Sequence, residues 1–390
     1  MKKNILVIFG GKSVEHDISI ITALQALSAI DRDKYNVIPC YNSTDGKFYT
    51  GEKLEDIESF INFSTDKLKQ VVFLPGENKL AIKRLNSFKP YKAVDVALIC
   101  CHGAYGEDGC LQGLLEMCDI PYSSCGVSSS SLCMDKAFMK GVFSSHNLPI
   151  VKHITLTRES FLKDQEKEIE KIKNSLTFPM IIKPANCGSS IGISACFDKD
   201  TLISSVALAS EFDGKIIAES AITNLTEVNC AVLKVGDEIL VSNLEQPLHA
   251  SEILTFDEKY LTNPTKNQKQ TLNEKEIKLK AGIKKQIKTL AYEAFLCCDC
   301  DGVCRIDFLI DNKENKVYIN EINTIPGSLS NYLFDDLTFN QLIDKLIESA
   351  ILKSEKKKKN AFNYKSPAIL SYLKSGQKSR KNKLKNSLID

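Results

Sequence analysis

The sequence has no run approaching the roughly 20 consecutive apolar residues needed to cross a bilayer. Its longest apolar stretch, Val94 to Cys101, is interrupted by Asp95, so no membrane span is expected. A secretory leader is not expected either. Lys2 and Lys3 precede Ile5 to Phe9, but Gly10, Gly11 and Lys12 end that stretch after five residues, and the chain is expected to remain in the cytoplasm. Cysteine is too sparse for a disulfide scaffold: fourteen in 390 residues, against the roughly 8–10% that such scaffolds carry. The tightest group, Cys297, Cys298, Cys300 and Cys304, lacks the paired C-x-x-C spacing of a zinc site and has no histidine nearby, so it reads as reduced core thiols. No internal repeat is visible. With 43% hydrophobic and 26% charged residues the composition excludes wholesale disorder, and the length calls for two or three packed units.

Net charge is only +2, but it is unevenly spread. Residues 354–390 hold eleven lysines and arginines against Glu355 and Asp390, a tail of +9, which leaves 40 basic against 47 acidic residues over 1–353. Such a tail suits a solubilising end. Its Lys356 to Lys359 and Lys378 to Lys385 also leave open binding to nucleic acid or an anionic surface, and Ile369, Leu370, Tyr372 and Leu373 have the spacing of a short docking helix.

The remainder alternates strands and helices. Asn4 to Phe9 reads as a buried strand, broken by Gly10-Gly11, and Ser19 to Ile30 has helical spacing. Tyr35 to Tyr41 and Val94 to Cys101 are further strands, the latter delivering His102-Gly103 to its end, where a parallel α/β sheet binds ligands. Val71 to Pro75 and Lys79 to Ile82 form a hairpin around Gly76. Helices are expected over Met134 to Ser145, Glu159 to Ser175 and Glu274 to Leu296. An extended piece is expected at Ile150 to Leu156, and strands over Met180 to Lys183, Lys215 to Glu219, Glu227 to Val235, Glu238 to Val241, Gly302 to Ile310 and Lys316 to Ile322.

Two constellations carry chemistry. KPANCGSSIGIS (183–194) places a lysine at a strand end before a small, glycine-containing loop. It is not a Walker P-loop, although its backbone N–H groups can approach a phosphate closely because Gly188 and Gly192 have no Cβ; the alternative is a plain turn. Arg305-x-Asp307 and Glu321-x-Asn323 have the period of two that puts each pair on one face of a strand. Two adjacent strands could then present three hard oxygen donors, suited to Mg²⁺ beside nucleotide phosphates, or else pair opposite charges across a surface. Ile306, Phe308, Ile319 and Ile322 would be the opposing apolar residues.

The set FGGKSVEHDIS (9–19), HGAYGEDGCLQGLLE (102–116), MDK (134–136), KPANCGSSIGIS (183–194), RIDF (305–308) and NEINTIPGS (320–328) resembles the D-alanine–D-alanine ligases, ATP-grasp enzymes, in order and spacing over residues 1–350. The resemblance implies an α/β ATP-grasp fold of three subdomains: an N-terminal Rossmann-like domain (1–124), a central subdomain (125–218) and a C-terminal subdomain (219–353), followed by the basic tail (354–390). It implies ATP, two Mg²⁺ (or Mn²⁺) and D-alanine as ligands, a homodimer, and a place in peptidoglycan precursor synthesis. By similarity Asp307, Glu321 and Asn323 hold the metals, and Arg305 faces the transferring phosphate. Lys136 and Lys183 contact ATP phosphates beneath the Ser189-Ser190 loop, Glu219 to Ile222 lie along the adenine, and Glu227 binds the ribose. Glu15 would hold the first D-alanine's ammonium, aided by His102. Lys259 and Tyr260 would belong to a mobile loop that excludes water. After NTIPG the family usually continues Ser-His-Ser-Leu, whose last serine binds the second substrate, whereas this chain has Tyr332 followed by Leu333. The segment after Tyr260, LTNPTKNQK, also departs from the family. Joining D-alanine to another D-amino or D-hydroxy acid is therefore an open alternative, and a nucleotide-binding regulatory descendant is a further one. The latter would have lost a metal ligand or phosphate lysine, and none is lost.

Overall fold

The computed structural model describes residues 2–84, 87–247, 271–273, 277–360 and 366–374. The chain divides into two compact units, Met1–Leu352 and Lys353–Asp390.

The first sheet of the larger unit has the order β6-β5-β4-β3-β2-β1-β7. At its centre β1 (Lys3–Gly10) runs parallel to β2 (Tyr35–Asn42) and to β7 (Val96–Ile99). Ile5, Leu6, Val7, Ile8 and Phe9 have no exposed surface, as expected of a strand covered on both faces. Helix α1 (His16–Ala29) buries Ile18, Ile20, Ala23, Ala26 and Leu27, so the helical spacing read from the sequence is borne out, with a start three residues earlier. An antiparallel meander extends the sheet through β3 (Phe48–Thr50), β4 (Lys69–Leu74), β5 (Lys79–Lys83) and β6 (Phe88–Ala93). The hairpin around Gly76 is part of it. A short helix, α2 (Glu58–Ile61), lies within this excursion, and α3 (Cys110–Met117) follows β7.

The second sheet, β10-β9-β11-β8, is wholly antiparallel. It comprises β8 (His153–Thr157), β9 (Met180–Pro184), β10 (Ser194–Cys196) and β11 (Lys215–Ser220). The charged helix expected over Glu159 to Ser175 is instead two, α6 (Arg158–Lys163) and α7 (Gln165–Ser175). Asp164 separates them because its carboxylate accepts the Lys167 N–H at 3.1 Å and starts a new helix. In the same way α4 (Val127–Met134) and α5 (Lys136–Ser145) part at Asp135, whose side chain caps Ala137 and Phe138. Helix α8 (Lys199–Phe212) covers the sheet, burying Leu202, Val206 and Ala209.

The third sheet has the order β14-β13-β12-β15-β16 and is also antiparallel. Its strands are β12 (Leu225–Val235), β13 (Glu238–Pro247), β14 (Thr271–Asn273), β15 (Gly302–Asp311) and β16 (Lys316–Asn323). β13 runs six residues beyond the Glu238 to Val241 read from the sequence. The helix expected from Glu274 is α9 (Ala281–Cys297), and 277–280 before it are not helical. Ile306, Phe308, Ile319 and Ile322 are all buried, each contributing about 1.5–3 kcal/mol by leaving water, and they fix which face of β15 and β16 turns outward. Helix α10 (Phe339–Lys358) buries Leu342, Ile343, Leu346 and Ile347 in the core of the first sheet. In the smaller unit residues 368–374 are helical, with Ile369, Leu370, Tyr372 and Leu373 exposed.

Candidate active site

The register of the third sheet settles the geometry of the acidic pair. Asp307 on β15 lies directly opposite Glu321 on β16, and Arg305 opposite Asn323, so all four share one face, as their spacing predicts. The Arg305 guanidinium grips Asp307 with two parallel bonds, Nε to Oδ1 at 2.7 Å and Nη2 to Oδ2 at 2.9 Å, and Asn323 Nδ2 donates to the same Oδ2 at 3.0 Å. Pairing then slips: Phe308 faces Ile319, leaving Asn320 as an extra residue on β16. That bulge turns the Asn320 side chain toward Lys183, which donates to its Oδ1 at 3.2 Å.

Beside this face lies a cavity of about 770 Å³, within the range of roughly 300–1,000 Å³ for small-molecule sites. Among its lining residues are Lys136, Lys183, Ser189, Ser190, Glu219, Ile222, Glu227, Asp307 and Glu321. Lys136, the first residue of α5, is 3.2 Å from Glu321 and donates to the Cys187 carbonyl at 2.7 Å. Burial alone would lower its pKa, but Glu321 outweighs this and holds it above the usual lysine range. Lys183 at the end of β9 is 2.9 Å from Glu219 Oε2, and Lys140, one turn beyond Lys136, is 2.9 Å from Glu219 Oε1. Burial tends to raise the Glu219 carboxyl, yet the two ammonium groups hold it down at about 2. Glu219, expected along the adenine, is thus the shared counter-charge of two lysines.

Glu15 precedes α1 and is buried. Ser189 donates its hydroxyl to Glu15 Oε1, which joins the loop after β9 to the loop after β1. A Cβ at Gly103 or at Gly188 would stand 2.7 Å from Glu15 Oε2, so a side chain at either would push the carboxylate out of its place. Ser189 and Ser190 hold φ of 51° and 58°, and Ser328, Leu329 and Ser330 hold 50°, 50° and 52°. Non-glycine residues in the left-handed region cost of order 1–3 kcal/mol each and gather at ligand loops.

His102 is buried with both ring nitrogens engaged. Nδ1 is 2.7 Å from the Ile325 carbonyl, which can only accept, so Nε2 accepts from the Thr22 hydroxyl at 2.8 Å. Burial pushes its pKa down to about 4, with Arg305 acting in the same direction against the Ile325 bond, and the ring is neutral. Glu107 completes the grip: Oε1 accepts the Ile325 N–H and Oε2 the Gly103 N–H, each at 2.8 Å. Burial and the neighbouring Glu15 push the Glu107 carboxyl up to about 8, against the pull of those two N–H bonds. Both polar groups of Ile325 are therefore fastened to the loop after β7, and this sets the start of the segment that carries Tyr332. Tyr332 is 45% exposed; desolvation and Glu245 raise its phenol, while a hydrogen bond from Arg305 opposes them. Leu333 is buried in the first core cluster, so its side chain serves packing. Lys259 and Tyr260 lie outside the described residues, as does the segment that follows them.

Three contributors escaped the sequence reading. Lys140 follows Lys136 by four residues, the interval that puts both on one helix face. Glu107 lies inside the HGAYGEDG motif without being singled out, and Asn320 becomes a lysine ligand only through a bulge.

A glycine loop, two buried lysines and an acidic pair, Asp307 and Glu321, around one nucleotide-sized cavity define an ATP-grasp enzyme. Comparison with known proteins is more specific. Residues 4–125 match the family model described as "D-ala D-ala ligase N-terminus" and 142–348 the one described as "D-ala D-ala ligase C-terminus". The chain is 40% identical over 364 residues to the D-alanine–D-alanine ligase of Thermosipho melanesiensis, covering 91% of this chain and 95% of that one. With the ligase of Thermosipho africanus it shares 38% over 362 residues, 92% and 96% of the two chains. Among solved structures, the D-alanine–D-alanine ligase of Coxiella burnetii matches with a TM-score of 0.76 at 26% identity, covering 96% and 99%. The VanG D-Ala:D-Ser ligase of Enterococcus faecalis matches with 0.75 at 30%, covering 90% and 100%. The chain belongs to the D-alanine–D-alanine ligase family.

Proposed function

We propose that the chain joins two D-alanines at the expense of ATP, through an acyl phosphate on the first, to supply D-alanyl-D-alanine for peptidoglycan precursors. The observation that carries this reading is the continuity of the site: Ser189 lines the cavity and also donates to Glu15, so the nucleotide space and the amino-acid seat share a wall.

The buried Glu15 carboxylate pairs with the ammonium of the first D-alanine, which turns that substrate's own carboxylate toward the cavity. Lys136 and Lys183 supply positive charge along the phosphates, with the 188–192 backbone closing over them; Ile222 and Glu227 lie where base and ribose would rest. Arg305, between Asp307 and Tyr332, faces the negative charge that develops on transfer. Asp307, Glu321 and Asn323 offer the hard oxygen set that two Mg²⁺ or Mn²⁺ require, and their clustering on one face of β15 and β16 fits such a pair. When bound, the ions neutralise phosphate charge that the lysines alone leave unbalanced. Lys259 and Tyr260 complete the proposed set of site residues. The proposed division of labour follows 1–124, 125–218 and 219–353, in a homodimer acting in the cytoplasm.

The acceptor admits a second reading. Tyr332 stands beside Arg305 where the family's serine is expected, and one structural relative is a D-Ala:D-Ser ligase. The curated relatives described above are named for D-alanine, which favours D-alanine here. Phosphate release by the purified chain with ATP, Mg²⁺ and D-alanine, with products identified by mass, tests both. The dipeptide from D-alanine alone supports the proposal, product only from mixed pairs moves the chain to the second reading, and ATP binding without turnover overturns both.

A further inference from the structure

Several of the fourteen cysteines are far apart in sequence and close together in space. Cys125 precedes α4, Cys133 lies within it, Cys300 sits in the turn after α9, and Cys304 is the third residue of β15. Folding packs all four into the core beneath the third sheet, each at most 4% exposed. Cys125 Sγ is 3.4 Å from Cys304 Sγ, and Cys133 Sγ is 4.0 Å from Cys300 Sγ. The sulfurs of Cys125, Cys300 and Cys304 all lie within 4.8 Å of one another. None forms a disulfide.

A buried cysteine usually acts as a small hydrophobe, and one thiol contact would need no other account. Three sulfurs within 4.8 Å of one another, with a fourth 4.0 Å from one of them, do. Tetrahedral zinc holds thiolates at about 2.3 Å, which sets sulfurs roughly 3.8 Å apart; Cys125 and Cys304 at 3.4 Å and Cys133 and Cys300 at 4.0 Å are near that spacing, and Cys133, which stands outside the mutually close trio of Cys125, Cys300 and Cys304, has to move inward to complete the set. We propose that Cys125, Cys133, Cys300 and Cys304 form a tetrathiolate site for Zn²⁺, separate from the Asp307 and Glu321 face. An all-sulfur donor set selects a soft ion and rejects Mg²⁺. On binding, four S–H bonds break, four Zn–S bonds form, four protons go to solvent, and no electron is transferred.

The surroundings offset part of the remaining negative charge. The Asp301 N–H points at Cys125 Sγ from 3.4 Å. Lys234, paired with Asp301 at 2.9 Å, feels Cys125 electrostatically. Burial and crowding hold the Cys133, Cys300 and Cys304 thiols well above the usual range, so uptake is proton-coupled, and the closed core means that the ion enters as the chain folds. The clip would fasten Cys125, where the N-terminal family match ends, to the residue before Arg305.

The test uses the full chain expressed in zinc-supplemented and, separately, cobalt-supplemented medium, purified with reductant and excess Mg²⁺ so that the carboxylate face holds no transition metal. Expected are one zinc per chain by elemental analysis and, in the cobalt form, the sulfur-to-cobalt charge-transfer absorption of a thiolate site. Both should be lost in Cys300→Ser and Cys304→Ser and retained in Cys110→Ser, whose thiol is exposed elsewhere. Wild-type protein without stoichiometric zinc or that absorption overturns the proposal even if the serine variants fail to fold, as does metal that survives both substitutions.

Discussion

Ser189, in the loop after β9, donates its hydroxyl to a carboxylate oxygen of Glu15, 174 residues earlier in the chain. The bond fixes one oxygen of a buried carboxylate and leaves the group's charge for a substrate ammonium. Ser189→Ala should leave the fold intact and lower kcat/KM for D-alanine roughly 10- to 100-fold, the scale of losing a hydrogen bond to a charged group, with the KM for ATP little changed. Steady-state kinetics varying each substrate in turn check this, and an equal rise in both KM values would argue against a seat specific to D-alanine.

Glu321 is opposite Asp307 and 3.2 Å from Lys136. Glu321→Gln keeps the shape and removes the charge, so turnover should be abolished while circular dichroism and Tm stay close to wild type. Phosphate release near the wild-type rate from that variant would remove Glu321 from the metal set.

The pair formed by Lys140 and Glu219 predicts a pH effect. Glu219 titrates at about 2 in the folded chain, below its ordinary 4.5. The folded state therefore releases this proton more readily than the unfolded one, and the stabilisation is present above pH 4.5 and lost as pH falls toward 2. Lys140→Met removes one of the two cations. It should cost about 3–5 kcal/mol by breaking a buried pair and move the acid limb of the Tm-against-pH curve upward. Identical limbs for the two proteins would show that Lys140 does not hold Glu219 ionised.

Tyr332 is half-exposed beside Arg305. Tyr332→Ser restores the family's side chain and empties the volume of a phenol. The expected outcome is retained D-alanine turnover with a broader range of accepted D-amino acids, read by mass spectrometry of products across a panel. A product range identical to wild type would place the acceptor elsewhere.

The C-terminal family match ends at residue 348 and the larger unit at Leu352. Deleting residues 354–390 should leave ATP-dependent turnover within about twofold, since every residue of the proposed site precedes the end of the family match. A large loss in a still-folded truncation would give the tail a part in the reaction.

Much of this was legible because its physical cause is local. The period of two at Arg305-x-Asp307 and Glu321-x-Asn323 determines a face whatever surrounds it, and the register bears it out. Helix ends were less legible, because Asp135 and Asp164 each start a new helix through side-chain capping bonds that hydrophobic spacing does not report. The counter-charge role of Glu219, the bulge at Asn320 and the Glu107 grip on Ile325 were not legible at all. Each depends on partners 36 to 218 residues away, brought together by strand order rather than by any pattern along the chain. The cysteines show the same limit: no short motif links Cys125 to Cys304, and only the fold puts them in contact.

Gly103 and Gly188 flank the Glu15 carboxylate from opposite loops, each so close that a single added carbon would collide with Oε2. Neither supplies a functional group, yet a mutational scan should find them as intolerant as the charged residues around them. An inhibitor seated on Glu15 between these two backbones would therefore press against walls that the cell cannot easily redraw, and escape by substitution would have to come from residues further out, such as Tyr332.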